Sequence, residues 1–300
     1  MLDVIGVGTN SVDEVMQLSG EMSAILLSGK ARVTSRHVII GGQTATVTAA
    51  CAALGLKAGY IGAFGSDANG GLARHALMAR DVDLTHCVFA DAPNRGAFIL
   101  VDAAGRRTVL WHRSERLTVP PHVLTPESLA ARIVHVDDDD LDLALNAARA
   151  ARAAGALVTS DIEHPSDRVE QLITDVTCPV FEERLPTLLT GERDHERALR
   201  KLRRLNSGLL VMTLGRRGAV ALEGDRFHAI PAFDVTVADS TGAGDVFRAG
   251  LIYGILQKWP VPAMLRFANA TAAVSCTRLG AIPSVPTLAE VRALEAAIPY

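Results

Sequence analysis

The chain has 300 residues, 49% of them hydrophobic, 21% charged and 4% aromatic, with a formal net charge of −3. That composition fits one large globular domain with room for an appendage. It speaks against nucleic acid or an anionic membrane as partner, because there is no basic excess and too few aromatic rings to stack bases. Four scattered cysteines, Cys51, Cys87, Cys178 and Cys276, form no CxxC pair. They predict small buried thiols in a reducing compartment rather than a disulfide framework or a zinc site. The opening MLDVIGVGTN shows no basic segment ahead of a long apolar run. No stretch reaches the ~18–20 apolar residues of a membrane span, so a cytoplasmic protein is expected.

Taken in order, LDVIGVG is a short apolar run ending in glycine and reads as a buried strand. Residues 12–40 show no clean helical period, and KARVTSRHVII alternates as a half-exposed strand does. TATVTAACAALG (44–55) predicts a helix of small residues stopped by Gly55, followed by a strand in KAGYIGAFG and a helix in GGLARHALMAR. RGAFILVDAAGRRTVLWHR (95–113) predicts two strands joined by an Ala-Ala-Gly turn. RIVHVD (132–137) is strand, LDLALNAARAARAAG helix, ALVTSDI strand and PSDRVEQLI helix with proline near its start. ERALRKLRRLN is helix, GLLVMTLG strand and AVALEGDRFHAI a hairpin. Three helices, about 242–257, 261–278 and 287–297, close the chain.

From residue 130 onward strand and helix alternate, which implies a parallel sheet covered by helices. Antiparallel-looking strands at about 16–40 and 95–113 suggest a small β appendage on a doubly wound core. The sequence contains neither an internal repeat nor a linker rich in Pro, Gly or Ser.

ADSTGAGDVFRAG (238–250) sets two carboxylates, Asp239 and Asp245, around a run of very small residues just where a helix begins. The first amides of a helix have no intrahelical partner, and the dipole is positive there. Gly242, Ala243 and Gly244 would let an anion approach those donors closely, as a phosphoryl group in transit requires. A carboxylate beside an anion site is repelled by its ligand unless it has a task, such as taking the proton of an attacking hydroxyl. The plainer alternative is that Asp245 caps the helix and the glycines make a turn. GxxxxGK[ST] is absent, and GVGTNS and GAGDVF each lack the third glycine of a dinucleotide fingerprint.

The stretch resembles the signature of the ribokinase-like (PfkB) carbohydrate and nucleoside kinases, which usually reads close to DTTGAGD followed by FxxG; here serine, Ser240, takes the second place. GVGTNSVDEV, GGQTATVTAACAALG, GAFGSDANG, VMTLGRRGAV and LRFANATAAVSCTRLGAIPSVPT resemble further motifs of that family, in its order, along nearly the whole chain. The resemblance implies a three-layer α/β/α doubly wound, mostly parallel sheet over residues 1–300. A small β-sheet lid would come from about 14–40 and 95–113.

It also implies transfer of the γ-phosphoryl group of ATP to a sugar hydroxyl, with Mg²⁺. Asp245 would be the base, and the amides of Gly242, Ala243 and Gly244 the anion hole. Asp13 would bind sugar hydroxyls against Gly41 and Gly42, with Thr46 beside them. Thr213, Gly215 and Gly218 would border the nucleotide phosphates and ribose, and Asn269, Ala273 and Cys276 would line the adenine, although plain helix packing explains those three as well. Asp239, Thr241, Ser275, Arg278, Gly280 and Ser284 would match the ligands of a K⁺-like ion, several through backbone carbonyls.

Departures from the pattern sharpen the expectation. Where relatives carry Asn-x-x-Glu, FEERLPTLLTG leaves Glu183 as the acid for the magnesium shell, with Asp161 or Glu163 as other candidates acting through water. Ser11 and Thr46 replace the two asparagines usual in ribose and adenosine kinases. DVFRAGLIYGILQKW and FEERLPTLLTG look more like the ketohexokinase and sulfofructose-kinase branch, and RRTVLWHR makes the lid unusually basic. The expected substrate is therefore a ketohexose-like sugar, with Arg113 the best candidate to meet an anionic end if there is one. Alternatives are a ribose or nucleoside kinase, or a sugar-binding sensor on the same fold. Homodimerisation through the lid is expected. VDDDDLD reads as a strand end and helix start rather than a metal cluster, and LRKLRRL as a solvated helix face.

Overall fold

Apolar runs that are hydrophobic on both faces become the central strands of one sheet, because a parallel sheet is covered on both sides. In the computed structural model, which describes residues 1–298, these strands are β1 (Leu2–Val7), β4 (Ala58–Ile61), β9 (Ala131–Asp137), β10 (Leu157–Ile162), β11 (Cys178–Glu182) and β12 (Leu210–Thr213), all parallel. The hairpin β13 (Ala219–Glu223) and β14 (Arg226–Ile230) extends the sheet antiparallel. The spatial order is β14-β13-β12-β11-β10-β9-β1-β4.

One face packs against α4 (Leu141–Ala153), α5 (Val169–Asp175), α6 (Arg184–Thr190) and α7 (His195–Leu202). The other packs against α2 (Gln43–Ala53), α8 (Ala243–Leu256), α9 (Val261–Cys276) and α10 (Leu288–Ala297). The three-layer α/β/α expectation holds.

The lid is a separate four-stranded sheet, in the order β3 (Val33–Gly41), β2 (Ser11–Leu18), β7 (Gly96–Val101), β8 (Arg107–His112). Its two hairpins are antiparallel internally, but β2 meets β7 in parallel. The turn between β7 and β8 is fastened by Asp102, whose carboxylate accepts the N–H groups of Ala104 and Arg106 at 3.0 Å, the Arg106 Nε at 2.8 Å and the Met22 N–H at 3.1 Å. The Arg106 side chain, foremost, with those backbone donors holds the Asp102 carboxyl down at about 2.

Smaller elements complete the chain: β5 (Ala63–Gly65) pairs with β6 (Val88–Ala90), and α3 (Ala68–Met78) follows β5.

Two segments depart from the sequence reading. The stretch 12–40 is not continuous strand, because α1 (Met22–Ser28) stands between β2 and β3. Its seven residues are too few to show a helical period, and Gly29 ends it at φ +66°. β11 and α6 were not expected, because Pro179 interrupts a run of only five residues, and proline normally argues against a central strand.

Candidate active site

The strand order reverses at β1. From there the chain proceeds through the lid and α2 to β4 on one side, while β9 to β12 succeed one another on the other. Ligands in open α/β sheets bind beyond the strand ends at such a switch point. Here it is bridged by Asp137, at the end of β9. Its Oδ2 accepts the Thr9 N–H and Oγ1 at 2.8 Å and the Thr44 Oγ1 at 2.7 Å, whereas its buried Oδ1 has no partner.

α8 starts beside this point. Its N-cap is Gly242 at φ +76°, a backbone that a side chain strains, and no side chain caps the helix. Asp245 therefore does not serve as the N-cap, although Gly242 makes the turn that the plainer reading expected. The Ala243 N–H donates to the Ser240 carbonyl at 3.2 Å. Among the described residues the Gly242 and Gly244 N–H groups have no such acceptor. The expected trio of amides is thus two open donors, with the third engaged in the turn.

The residues expected to hold a sugar pack against the same loop. A Cβ on Gly41 would lie 3.1 Å from the Ala281 Cβ and 3.6 Å from the Thr46 Oγ1. A Cβ on Gly242 would lie 2.9 Å from that same Ala281 Cβ and 3.4 Å from the Thr46 Cγ2. Gly42, at φ +97°, lets the start of α2 press against the Asn10 backbone, where a Cβ would be 2.4 Å from its Cα. The Thr46 hydroxyl is buried without a partner beside the open amides. Asn10, fully enclosed, is fixed by the Ala63 carbonyl at 2.8 Å and by Asn94 at 3.0 Å.

Asp13 on β2 completes the opposite wall. Burial raises its carboxyl, while the Ala97 backbone, Ser11, Arg95 and His112 oppose the rise. Arg95 lies within electrostatic reach of Asp13, Asp137 and Asp139, and Asp137 within that of Asp245. Electrostatic reach thus runs from Asp13 through Arg95 and Asp137 to Asp245. Burial also drives Asp245 well above the usual carboxylate range; Arg248 opposes this, and Glu163 and Asp137 reinforce it.

Arg113 is not free to meet an anion. Its guanidinium bonds Asp140 at 2.6 Å and Asp139 at 3.4 Å, and Arg95 forms a two-pronged pair with Asp139. The acids of VDDDDLD are thus employed one by one. Asp138 receives the Glu163 and His164 N–H groups and the His164 ring, and Asp140 also caps α4 through the Leu143 N–H.

Glu183, expected in a magnesium shell, is bound by Arg217 and by His195 at 3.1 Å; Arg217 first, then His195, hold its carboxyl below the usual range. Asp161 is sealed against Arg248, with side-chain exposures of 0% and 1%. Glu183 and Asp161 are thus each paired with an arginine, while Glu163 stays 36% exposed, 3.5 Å from Arg248.

Asp239 ties two loops together, accepting from the Thr241 N–H at 2.9 Å, the Thr241 Oγ1 at 2.7 Å and the Gly280 N–H at 2.9 Å. Partial burial alone would raise it, but those bonds hold it below the usual range, so it is an anion. Arg278 turns its guanidinium to Glu290, and the Ser275 and Ser284 hydroxyls donate to the Ala272 and Ala281 carbonyls.

Of the residues expected to border a nucleotide, the Thr213 Oγ1 donates to the Phe181 carbonyl at 3.3 Å, and the turn from Gly215 to Gly218 is left-handed at both ends, with φ +56° and +96°. Asn269 is used for structure: its amide donates to the Ile230 and Pro231 carbonyls at 3.0 Å, pinning α9 to the end of β14. Ala273 is buried in the core, and the Cys276 carbonyl accepts the Ala238 and Asp239 N–H groups. The four cysteines form no disulfide. Asp137, Arg95, Asn10 and the Asp161–Arg248 pair escaped the sequence reading, since their partners lie on other elements.

Residues 10–288 match the model of the pfkB family of carbohydrate kinases. The chain belongs to that family. It is a carbohydrate kinase, a phosphotransferase. An ATP-dependent ribose-1-phosphate kinase of Halopiger xanaduensis is 32% identical, over 88% of this chain and 89% of that one. Fructokinase-2 of Zea mays is 28% identical, over 85% and 84%. The crystal structure of a fructokinase with bound ATP from Xylella fastidiosa superposes with a TM-score of 0.84 at 22% identity, over 99% of both chains, which shows the shared fold. Among the described residues no helix of this carbohydrate kinase is long and apolar enough to cross a membrane.

Proposed function

We propose that this carbohydrate kinase transfers the γ-phosphoryl group of ATP to a hydroxyl of a neutral, ketohexose-like sugar. The observation that carries this is the uncapped start of α8, where Asp245 follows two open amides and Thr46, its hydroxyl orphaned, lies against Gly242. In the proposed reaction the hydroxyl proton passes to Asp245 as its oxygen bonds the γ-phosphorus. The bridging P–O bond breaks and ADP leaves. The Gly242 and Gly244 N–H groups receive the charge building on the equatorial oxygens, with no reorganisation needed at that moment. Asp13 holds the sugar hydroxyls, and the lid excludes water. Thr213 and the 215–218 turn border the phosphates of the nucleotide.

A neutral sugar is favoured because the wall that would face an anionic end is already charge-balanced, with Arg95 and Arg113 paired to Asp139 and Asp140. The 32% identity to a ribose-1-phosphate kinase supports a second reading, a ribose-based substrate. Against it stand Ser11 and Thr46. A sensor without turnover would have no use for an acid set against open amides.

Asp239, the Thr241 hydroxyl and the carbonyls of Ser275, Arg278, Gly280 and Ser284 would hold a K⁺-like ion, which would supply positive charge beside the amides. The lid sheet, with Trp111 72% exposed on β8, is the proposed homodimer surface. Coupled ADP release with fructose, ribose, ribose 1-phosphate and a nucleoside, with and without K⁺, tests the reading. Turnover with fructose foremost supports it; preference for ribose 1-phosphate replaces it, and no turnover with any leaves only a binder.

A further inference from the structure

The acids of VDDDDLD join several segments at one turn. Asp137 ends β9 and holds the loop after β1 and the start of α2, through Thr9 and Thr44. Asp138 holds the loop after β10 through the Glu163 and His164 N–H groups, and Asp140 starts α4 through the Leu143 N–H at 3.1 Å. The other bonds of this turn, from Asp139 and Asp140, leave the core and go to the lid.

They reach the lid at a single place. Gly96 and His112 form the last pair at the open end of the hairpin β7–β8. Arg95 and Arg113 stand just beyond that pair, one on each strand. Arg95 grips Asp139 with both terminal nitrogens, Nη2 to Oδ1 at 2.6 Å, and Arg113 bonds Asp140 at 2.6 Å and Asp139 at 3.4 Å. The four side chains are between 17% and 26% exposed, so solvent screens these pairs less than it does a surface pair. A two-pronged guanidinium–carboxylate pair fixes direction as well as distance. The hairpin β2–β3 is rooted differently, by apolar packing of Val12 and Ile40 with Ala45 and Ala49 of α2.

The second hairpin in turn holds the first. β7 runs parallel to β2, and the Val12 N–H donates to the Arg95 carbonyl at 3.1 Å. A Cβ on Gly96 would lie 2.3 Å from the Val12 carbonyl oxygen, so the two strands meet too closely there for any side chain. Val12 is thus held against Arg95 and Gly96, and the next residue is Asp13. Arg95 is therefore tied to the core by its side chain and to the strand of Asp13 by its backbone. The cavity that the two arginines line with Gly8, Thr9, Asn10 and Asp140 measures about 30 Å³, room for a water or two and too small for a sugar.

We propose that Asp139 and Asp140 anchor the lid, and that Arg95 and Arg113 are positioning residues that set where β2, and with it Asp13, stands against the core. The inference rests on Asp13 being the residue that holds the sugar.

The test is a double-mutant cycle between Arg95 and Asp13, read as kcat and as KM for fructose at saturating ATP. Arg95→Gln should raise KM about tenfold and change kcat less than about threefold. Arg95→Lys keeps the charge and loses the fork, so it should resemble Arg95→Gln; Arg113→Lys should recover most of what Arg113→Gln loses. Asp13→Asn has already lost the carboxylate that Arg95 places, so the KM of Asp13→Asn/Arg95→Gln should lie within about twofold of that of Asp13→Asn. Effects that multiply overturn the proposal, since Arg95 would then act on the sugar independently. A lower yield of folded enzyme with an unchanged KM overturns it too, since the pairs would then be structural only. If Arg95→Gln does not fold, Asp139→Asn replaces it in the cycle with the same expectations.

Hydrogen exchange separates the anchor from the reading beneath it. In Arg95→Gln the amides of 96–112 should exchange faster while those of 43–53 keep their rates; unchanged exchange in 96–112 overturns the anchor. An unchanged KM in Asp13→Asn alone overturns Asp13 as the sugar's holder, whatever the exchange rates show.

Discussion

Beneath the cleft, charges are buried and matched; above it, on the lid, they are exposed. Arg248 and Asp161 are 1% and 0% exposed, and Asp137 receives four donors on one oxygen. On the lid every residue of β8 is exposed, and its exposed neighbour Arg106 links the exposed Glu21 to the enclosed Asp102. Charges in a dry floor hold fixed positions and act strongly over short range, which suits stabilising a transition state. Exposed pairs contribute little, about 0–1 kcal/mol each, so the lid is free to move over the cleft and to pack against another surface. In the proposed reaction the floor would serve the chemistry, and the lid access and the proposed dimer.

Substitutions can break that contrast, beginning with the floor. Gly242→Ala places a side chain at φ +76° and 2.9 Å from the Ala281 Cβ. It should displace the amides and lower kcat by about 10²-fold or more; a kcat within a factor of about two would show that the loop is not the anion site. Asp13→Asn removes a charged acceptor from the sugar wall and should raise the sugar KM roughly 10–100-fold with a smaller change in kcat; the split between KM and kcat is the measurement.

The lid should respond more weakly. Trp111→Glu should shift the protein from dimer to monomer in light scattering; a wild-type monomer would remove the lid interface from the account. Smallest of all, Asp102→Asn should loosen the β7–β8 turn, seen as faster proteolysis there and not as lost activity. The Asp102 carboxyl is held down at about 2. Its contribution to the turn is therefore complete above its unfolded value near 4 and is lost as pH falls through about 2. The proteolytic difference between wild type and Asp102→Asn should vanish on acidification.

The same contrast explains what could be read from the sequence. A buried strand such as VIGV announces itself by unbroken hydrophobicity, and DSTGAGD by the small residues between its two acids. The family motifs pointed to Asp13, Gly41, Gly42 and Asp239, and Gly41 and Gly242 do meet at Ala281 and Thr46. Arg248 could not be read in this way. In DVFRAG it resembles a solvated helix residue, and its burial depends on an acid that the sheet brings from far away in the chain. Asp137 looked like a strand end because its donors, Thr9 and Thr44, belong to other elements. Arg113 was legible as basic but not as paired, since Asp139 and Asp140 approach it only once the lid is folded.

Asp245 is the centre of the account. The most direct measurement replaces it with asparagine and records both kcat and sugar binding by calorimetry. The account predicts a fall in kcat of about 10³-fold with sugar affinity nearly unchanged. Turnover close to wild type in a folded Asp245→Asn protein would contradict it.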